Sequence, residues 1–436
     1  MTTISNSIYS IFNRGYNVVY QMLTVAYISR IFLADGVGEV MFAINIVAYF
    51  VLAASLGIPN YAVKVLAPVR ENQIALNKRF SELAFFIFIS SLVASFLYYI
   101  VISFLFHHNW TNLMVSYALG LMVLSNVFNY DWLFESLEKF KYLAYRSIIV
   151  RTIALLLMFF MVKSREDVLI YCLIYACCTV MNNLWNFLVY RQYVNLSFSH
   201  LNFRRHISPV LILFSATFAT EIYTLLDSTM LGFMCSKEHL GYYSNASKVS
   251  RACFYIIFAA ITVFNPKLNY LYRNCHVSEY KNMLIRFYEA GMCLAIPITA
   301  VLFIFAPKIM PLMFGEAFIP GIQTLRILSP LIVIFTLAYV FGHVCLIIYG
   351  KEKSLFYAAI LGAVSNFLLN QWLIPVYTHN GAALASLVSE SLVASFLFFV
   401  SMNCCKVKLF TKKVSMVLLV TIIICAGWVW VHNQFY

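Results

Sequence analysis

Residues 207–265 read ISPVLILFSATFATEIYTLLDSTMLGFMCSKEHLGYYSNASKVSRACFYIIFAAITVFN. Two apolar runs, each long enough to cross a bilayer at about 20 residues, meet at the short polar turn Cys235–Leu240. The pattern predicts a transmembrane helical hairpin whose interior is not wholly apolar. Glu221 and Asp227 fall on its first helix, Lys248 and Arg251 on its second. An ionisable side chain facing lipid near the bilayer centre costs at least ~2.5–3.5 kcal/mol, so these four should face a bundle interior or a water-filled space. Lys248 and Arg251 are three apart and share one face, with Ser244, Asn245 and Ser247 close to it. The four charges either pair with one another and lock two helices, or line a path for a polar solute. The polar surround, which isolated pairs would not need, favours the path.

Composition fixes the class around this hairpin. The 436 residues are 62% apolar and 11% charged, against about 25% charged in a soluble domain, so the chain is an integral membrane protein. Its net charge of +13 (30 Lys+Arg less 17 Asp+Glu) would suggest nucleic acid in a soluble protein. Here it belongs in cytoplasmic loops, and no nucleic-acid partner is expected. The first apolar run has no cationic leader and no small-residue cleavage site after it, so it is expected to be an uncleaved span. The eleven cysteines lie mostly in apolar runs, and their spacing suggests neither a metal site nor a disulfide framework. They read as small membrane hydrophobes, with lipid attachment at Cys404 or Cys405 as the alternative.

Spans are expected at 8–32, 37–63, 80–106, 111–135, 143–163, 167–190, 207–234, 239–265, 283–306, 323–349, 354–375 and 381–403, with a further one at 413–432. Loop charge orients them. Loops after even-numbered spans carry sets such as Lys64, Arg70, Lys78 and Arg79; Lys139, Lys141 and Arg146; and Lys406, Lys408, Lys412 and Lys413. Loops after odd-numbered spans carry only Arg30, Lys163, Arg165, Lys237 and Lys308. The asymmetry puts the N-terminus in the cytoplasm and, after a thirteenth crossing, the C-terminus outside. No loop is long enough to fold as a domain.

Six basic residues remain inside the spans. Arg151 and Arg286 lie near cytoplasmic ends and can snorkel, Arg286 with Glu289 as a local partner. Arg14, Lys248, Arg251 and Arg326 are the more informative set. Arg14 stands beside a stripe of Asn13, Asn17 and Gln21, with Tyr20 and Thr24 next to it. Such residues either glue helices or line a wet lumen, and the same choice applies to Asn126 with Asn129, Asn182 with Asn183 and Asn366 with Asn370. Asp131 and Glu135 read as interfacial. Glu390, near the middle of the twelfth span, is a candidate ion-coupling carboxylate, although a hydrogen bond to a neighbouring helix explains it too. Pro297, inside the ninth span, predicts a kink. No nucleotide loop and no HExxH appears, and His107–His108 is a pair without further ligands.

The chain also repeats itself weakly. YISRIFLADGVGEVMFAIN and MLGFMCSKEHLGYYSNAS align on Gly38 and Gly241, and each following helix ends in a proline-marked element, Pro59–Ala62 and Pro266–Tyr270. A repeat of six helices keeps its orientation, as in transporters built from parallel repeats. The expected organisation is a six-helix lobe over 1–206 with its connecting loop, a second over 207–403, and a basic loop with an additional helix over 404–436.

Several stretches then carry a resemblance: YFVLAASLGIPNYAVKVLAPVREN (49–72), FSEL (80–83), IYTLLDSTMLG (222–232), LGYYSNASKVSR (240–251), PLMFGEAFIPG (311–321), LRILSP (325–330) and NQWLIPVYTHNGAALASLVSE (370–390). In their order and spacing the sequence resembles the polysaccharide-biosynthesis, O-antigen (Wzx-type) flippases of the MOP (MATE-like) exporter superfamily. That resemblance implies an all-α polytopic bundle of two six-helix halves around a central cavity, in the bacterial inner membrane. It implies transfer of an undecaprenyl-diphosphate-linked oligosaccharide from the cytoplasmic to the periplasmic leaflet by alternating access. No enzymatic step and no cofactor beyond H+ or Na+ coupling is implied. Further partners would be membrane lipids, a polysaccharide polymerase and a chain-length regulator. The site expected on this reading is Arg14, Asn17, Glu221, Asp227, Lys248, Arg251 and Arg326, with Asp227 and Glu390 available for ion coupling. Arginine forks suit a diphosphate. The rivals are a multidrug or cation antiporter of the same superfamily, which should favour acids over bases. A membrane polymerase or ligase would need a large outer loop, and a purely structural protein would not need buried charges.

Overall fold

The computed structural model describes residues 2–106, 110–197, 201–262, 264–274, 277–405 and 411–435, and among these there is no strand. His107 and His108, and the side chains of Cys404 and Cys405, lie outside the described residues. The helices are α1 (Thr2–Ser55), α2 (Ile58–Leu66), α3 (Gln73–Leu105), α4 (Trp110–Ser125), α5 (Asp131–Ser136), α6 (Phe140–Met161), α7 (Val168–Val189), α8 (Arg204–Met234), α9 (Lys237–Thr262), α10 (Asn265–Arg273), α11 (Val277–Phe314), α12 (Ile322–Leu328), α13 (Leu331–Ala338), α14 (Glu352–Cys405) and α15 (Lys412–Phe435). Eight described stretches are long and apolar enough to cross a membrane, and the two longest, Phe12–Val69 and Lys353–Met402, contain breaks. The protein is thus an all-helical, multi-pass membrane protein.

The break in α1 is Leu33, with φ 58° and ψ −167°, a region almost reserved for glycine. Its neighbours show what the break does. Tyr16 meets Thr152 (2.7 Å) and Tyr27 meets the Val162 carbonyl (2.8 Å), so the first half runs out along α6. Phe42 then stacks edge-on against Phe106, Phe50 against Tyr98, and Ala54 accepts from Ser90, so the second half returns along α3. The chain reverses at Leu33, where the sequence predicts a turn between the first two spans. The second break is Thr378 in α14 (φ 49°). A Cβ at Gly381 would strike the Leu373 carbonyl there and lie 2.5 Å from its carbon. In a straight helix positions eight apart stand about 12 Å apart, so α14 also doubles back.

Two expected spans are interrupted. The 111–135 run breaks where Asn126–Phe128 tighten into a 3₁₀ turn and Asn129 is extended. The 323–349 run breaks at Ser329–Pro330, between α12 and α13, and continues as a wide π-type turn over Tyr339–Leu346. Pro330 lacks the N–H that a continuous helix would use. Conversely, the helix expected to end at 306 runs to Phe314 through Pro307 and Pro311.

The chain divides into two compact units, Met1–Leu225 and Leu226–Tyr436, within α8. In the first, α2 follows Gly57, whose φ of 66° and approach to the Phe214 backbone (2.8 Å from a Cβ) require glycine. Ile58, Ala62 and Leu66 recur every fourth residue, are fully buried, and pack with Phe80, Tyr130, Trp132 and Tyr190. Asn60 and Lys64, on the other face, are exposed. In the second unit α10 has the same build: nine residues, a proline in its first turn, buried Leu268 and Leu271, exposed Lys267 and Tyr270. The proline-marked element of the sequence repeat is therefore a short amphipathic helix in each unit. In the second unit α15 packs along α11. Glu289, expected to pair with Arg286, instead meets Lys413 at 3.1 Å, while Arg286 is exposed.

Candidate functional site

In the second unit the polar residues converge on Asp227. This carboxylate is 5% exposed and receives four neutral donors. The Tyr243 hydroxyl donates from α9 (2.6 Å). Asn366 and Asn370, one turn apart on the first half of α14, each donate an amide N–H (2.8 and 2.7 Å). Ser386, on the returning half, donates its hydroxyl. The Ser386 and Tyr243 hydroxyl oxygens lie 3.0 Å apart as they share the carboxylate, and Asn366 donates weakly to Ser389 (3.4 Å). The Asn370 carbonyl oxygen is buried with no hydrogen-bond partner. A buried charge survives only when its lone pairs are satisfied, and the reversal of α14 makes this possible by bringing both of its halves to one carboxylate.

Arg251 and Lys248 are half-buried on α9. Arg251 lies within electrostatic reach of Asp227 and Glu390, and Glu390 is itself half-buried on α14. Among the described contacts, no direct ion pair joins Asp227 to Lys248 or Arg251, so the interhelical contacts of the carboxylate are neutral hydrogen bonds rather than a charge lock. Arg326 is held elsewhere: its Nε donates to the Phe303 carbonyl on α11 (3.3 Å), and its guanidinium covers the Phe303 ring (5.7 Å).

In the first unit Arg14 is exposed and Asn17 half-buried on the first half of α1. Their stripe divides. Asn13 accepts from Arg151 (3.3 Å) and Tyr16 bonds Thr152, which fixes α1 to α6, and Tyr20 and Thr24 are buried. Arg14 and Gln21 remain on the open face, Arg14 within electrostatic reach of Glu135. Glu221 is exposed on α8 and its carboxylate touches only Thr224 among the described contacts (3.5 Å).

Two networks in this unit are not evident from the charge pattern. Arg146, counted above as a loop base, is 4% exposed and pairs with Asp131 at 2.8 Å. Asn186 donates to the same carboxylate (2.6 Å) and Asn182 accepts from Arg146 (3.1 Å). The correction has a simple cause, since α6 begins at Phe140 and carries Arg146 into the bundle. Glu82 is fully buried and accepts from the Asn202 N–H (2.8 Å), His206 Nε2 (2.8 Å) and Arg205. The Tyr61 hydroxyl bonds His206 Nδ1 (2.8 Å). Burial holds His206 below the ordinary imidazole range, against the pull of the Glu82 carboxylate. The start of α8 is thereby tied to α2 and α3. The signals were the FSEL glutamate and the Asn182–Asn186 pair at helical spacing.

Comparison with known proteins places this arrangement. The profile of the family described as polysaccharide biosynthesis protein matches residues 4–269, more than half of the chain, and the chain belongs to that family. It is 22% identical over 413 residues to the "Putative O-antigen transporter" of Escherichia coli (strain K12), covering 91% of this chain and 96% of that one. In fold it is similar to the lipid II flippase MurJ in an inward closed conformation (TM-score 0.73, 15% identity, 99% of this chain and 93% of that one). It is also similar to an inward-facing multidrug-resistance MATE transporter of the MOP superfamily (TM-score 0.65, 11% identity, 91% and 95%).

Proposed function

We propose that the protein carries an undecaprenyl-diphosphate-linked oligosaccharide, the O-antigen repeat unit, from the cytoplasmic to the periplasmic leaflet of the inner membrane. The observation that carries this reading is the half-buried Lys248–Arg251 pair on α9 in a chain of the polysaccharide-biosynthesis family. Lys248 and Arg251 supply charge-assisted donors to the diphosphate, Arg14 is a further base for the transported unit, and the sugars follow through a cationic path by alternating access. The N-terminus lies in the cytoplasm, as the loop charge requires. A polymerase and a chain-length regulator act on the delivered unit.

Asp227 serves as the coupling site for H+ or Na+. Its two oxygens and the Ser386 hydroxyl beside them are hard donors of the kind such a cation takes, and the buried Asn370 carbonyl oxygen, which has no hydrogen-bond partner, supports the reading. Cation occupancy would neutralise Asp227 and leave Arg251 with less competition for the diphosphate. The same carboxylate favours a second reading, a MATE-type cation antiporter.

The test is rescue of a deletion strain. Lys248→Ala, Arg251→Ala and Arg14→Ala at normal membrane abundance should each cut repeat-unit transfer about 10- to 100-fold, the loss of one charge-assisted hydrogen bond of ~1.5–3 kcal/mol. Full rescue by all three, with altered drug sensitivity in the deletion strain, would favour the antiporter.

A further inference from the structure

At the opposite end of the second unit from α10, two histidines meet. His379 follows the Thr378 break of α14 and is 6% exposed; His239 lies in the first turn of α9. Their rings are nearly parallel (18°) with centroids 4.9 Å apart, and their Nδ1 atoms meet edge to edge at 2.8 Å. A contact of that length between ring nitrogens is a hydrogen bond and holds one proton. The surroundings say whose. His379 Nε2 faces the Pro320 carbonyl at 3.4 Å, which can only accept, so the His379 proton sits there and its Nδ1 is a bare lone pair. That lone pair accepts from His239 Nδ1–H and from the Thr378 hydroxyl (3.1 Å).

The pair joins three segments. Asn380 accepts from Thr324 of α12 (2.8 Å), Gly381 tolerates no side chain, and Tyr242 of α9 packs its ring 5.2 Å from His379 and 6.0 Å from Phe318. Other titratable groups on these elements are directed elsewhere or exposed. Lys237 donates to the Gly232 carbonyl (2.6 Å), and Glu238, Glu316 and Tyr377 are exposed. His239 and Tyr242 are thus the titratable groups shown against His379, and of the two only the imidazole changes charge in the acidic range.

We propose that His239 and His379 form a proton-operated clip that holds the α14 reversal against the first turn of α9 and releases it on acidification. A proton on His379 Nδ1 sets two N–H groups against each other and removes the acceptor for both His239 and Thr378. Imidazole is the side chain whose charge changes in the mildly acidic range, and loop charge places this end outside the cytoplasm.

Hydrogen exchange of the full-length protein in nanodiscs tests this, at about pH 7.5 and about pH 4.5 with exchange times scaled for the intrinsic rate. In wild type, peptides over 236–243 and 374–382 should exchange about tenfold faster at the acid pH, with α11 peptides unchanged. His379→Phe, which has no acceptor, should show the fast level at both pH values. His239→Gln, whose amide can donate to neutral His379 and accept from the charged form, should stay protected at both. Absence of the step in wild type, or an equal step in His239→Gln, would overturn the clip.

Discussion

Asp227 is the residue whose environment says most. A buried carboxylate surrounded by Tyr243, Asn366, Asn370 and Ser386 is satisfied without a direct cationic partner. Asp227→Asn should therefore keep the fold, because an amide can still accept from several of these donors, yet abolish any dependence of transfer on the cation gradient; transport in vesicles with imposed H+ and Na+ gradients measures this. Glu82 is the opposite case. Removing it leaves Arg205 without its carboxylate and the Asn202 N–H and His206 Nε2 without their acceptor, and Glu82→Ala should cost about 3 kcal/mol, the low end for breaking a buried pair because Arg205 is 39% exposed. Thermal unfolding monitored by intrinsic fluorescence would register the loss. The sequence marked Asp227, Lys248, Arg251 and Glu390 as intramembrane charges, since cost alone identifies them. It could not say that the carboxylate is bound by asparagines, because Asn366 and Asn370 read equally well as helix glue. Nor could it show that Arg146 is buried, because a base within a few residues of a helix start is ambiguous until the start is known.

Among the elements, reversals and interruptions separate what the pattern reveals from what it hides. Hydropathy brackets the turns at Leu33 and Thr378 because polar residues cluster there. It is blind to backbone conformation, and neither residue has the type its φ favours. Leu33→Gly should raise the melting temperature, by the ~1–3 kcal/mol stored at such a position less the packing of a half-buried leucine. Gly381→Ala should do the reverse and sharply lower the yield of monodisperse protein, since its Cβ would meet the Leu373 backbone rather than a movable side chain. The breaks at Asn129 and Pro330 were present as residues but lost inside long apolar windows. The π-type turn over Tyr339–Leu346 had no marker except Gly342, where a Cβ would meet Leu397 at 2.9 Å. Such turns are frequent at functional sites.

At the scale of the whole molecule, the repeat was visible as a register of Gly38 with Gly241, Ala43 with Ala246 and two prolines, and its proline-marked elements are α2 and α10. Faces of those helices, not identities, are what the fold preserves: an apolar side against the unit and a polar side away from it. The additional helix α15 was legible as an apolar run, but its seat was not, since the Lys413–Glu289 contact spans residues 124 positions apart. That contact is largely exposed on the lysine side, so Lys413→Ala should leave stability within about 0.5 kcal/mol, as a melting curve would verify. The central claim, transfer of a lipid-linked polysaccharide precursor, is tested most directly by deleting the gene in its host and measuring the leaflet distribution of lipid-linked repeat units together with surface polymer. The account predicts units stranded in the cytoplasmic leaflet and surface polymer lost, both restored by the wild-type gene. Normal leaflet distribution and normal polymer would contradict it.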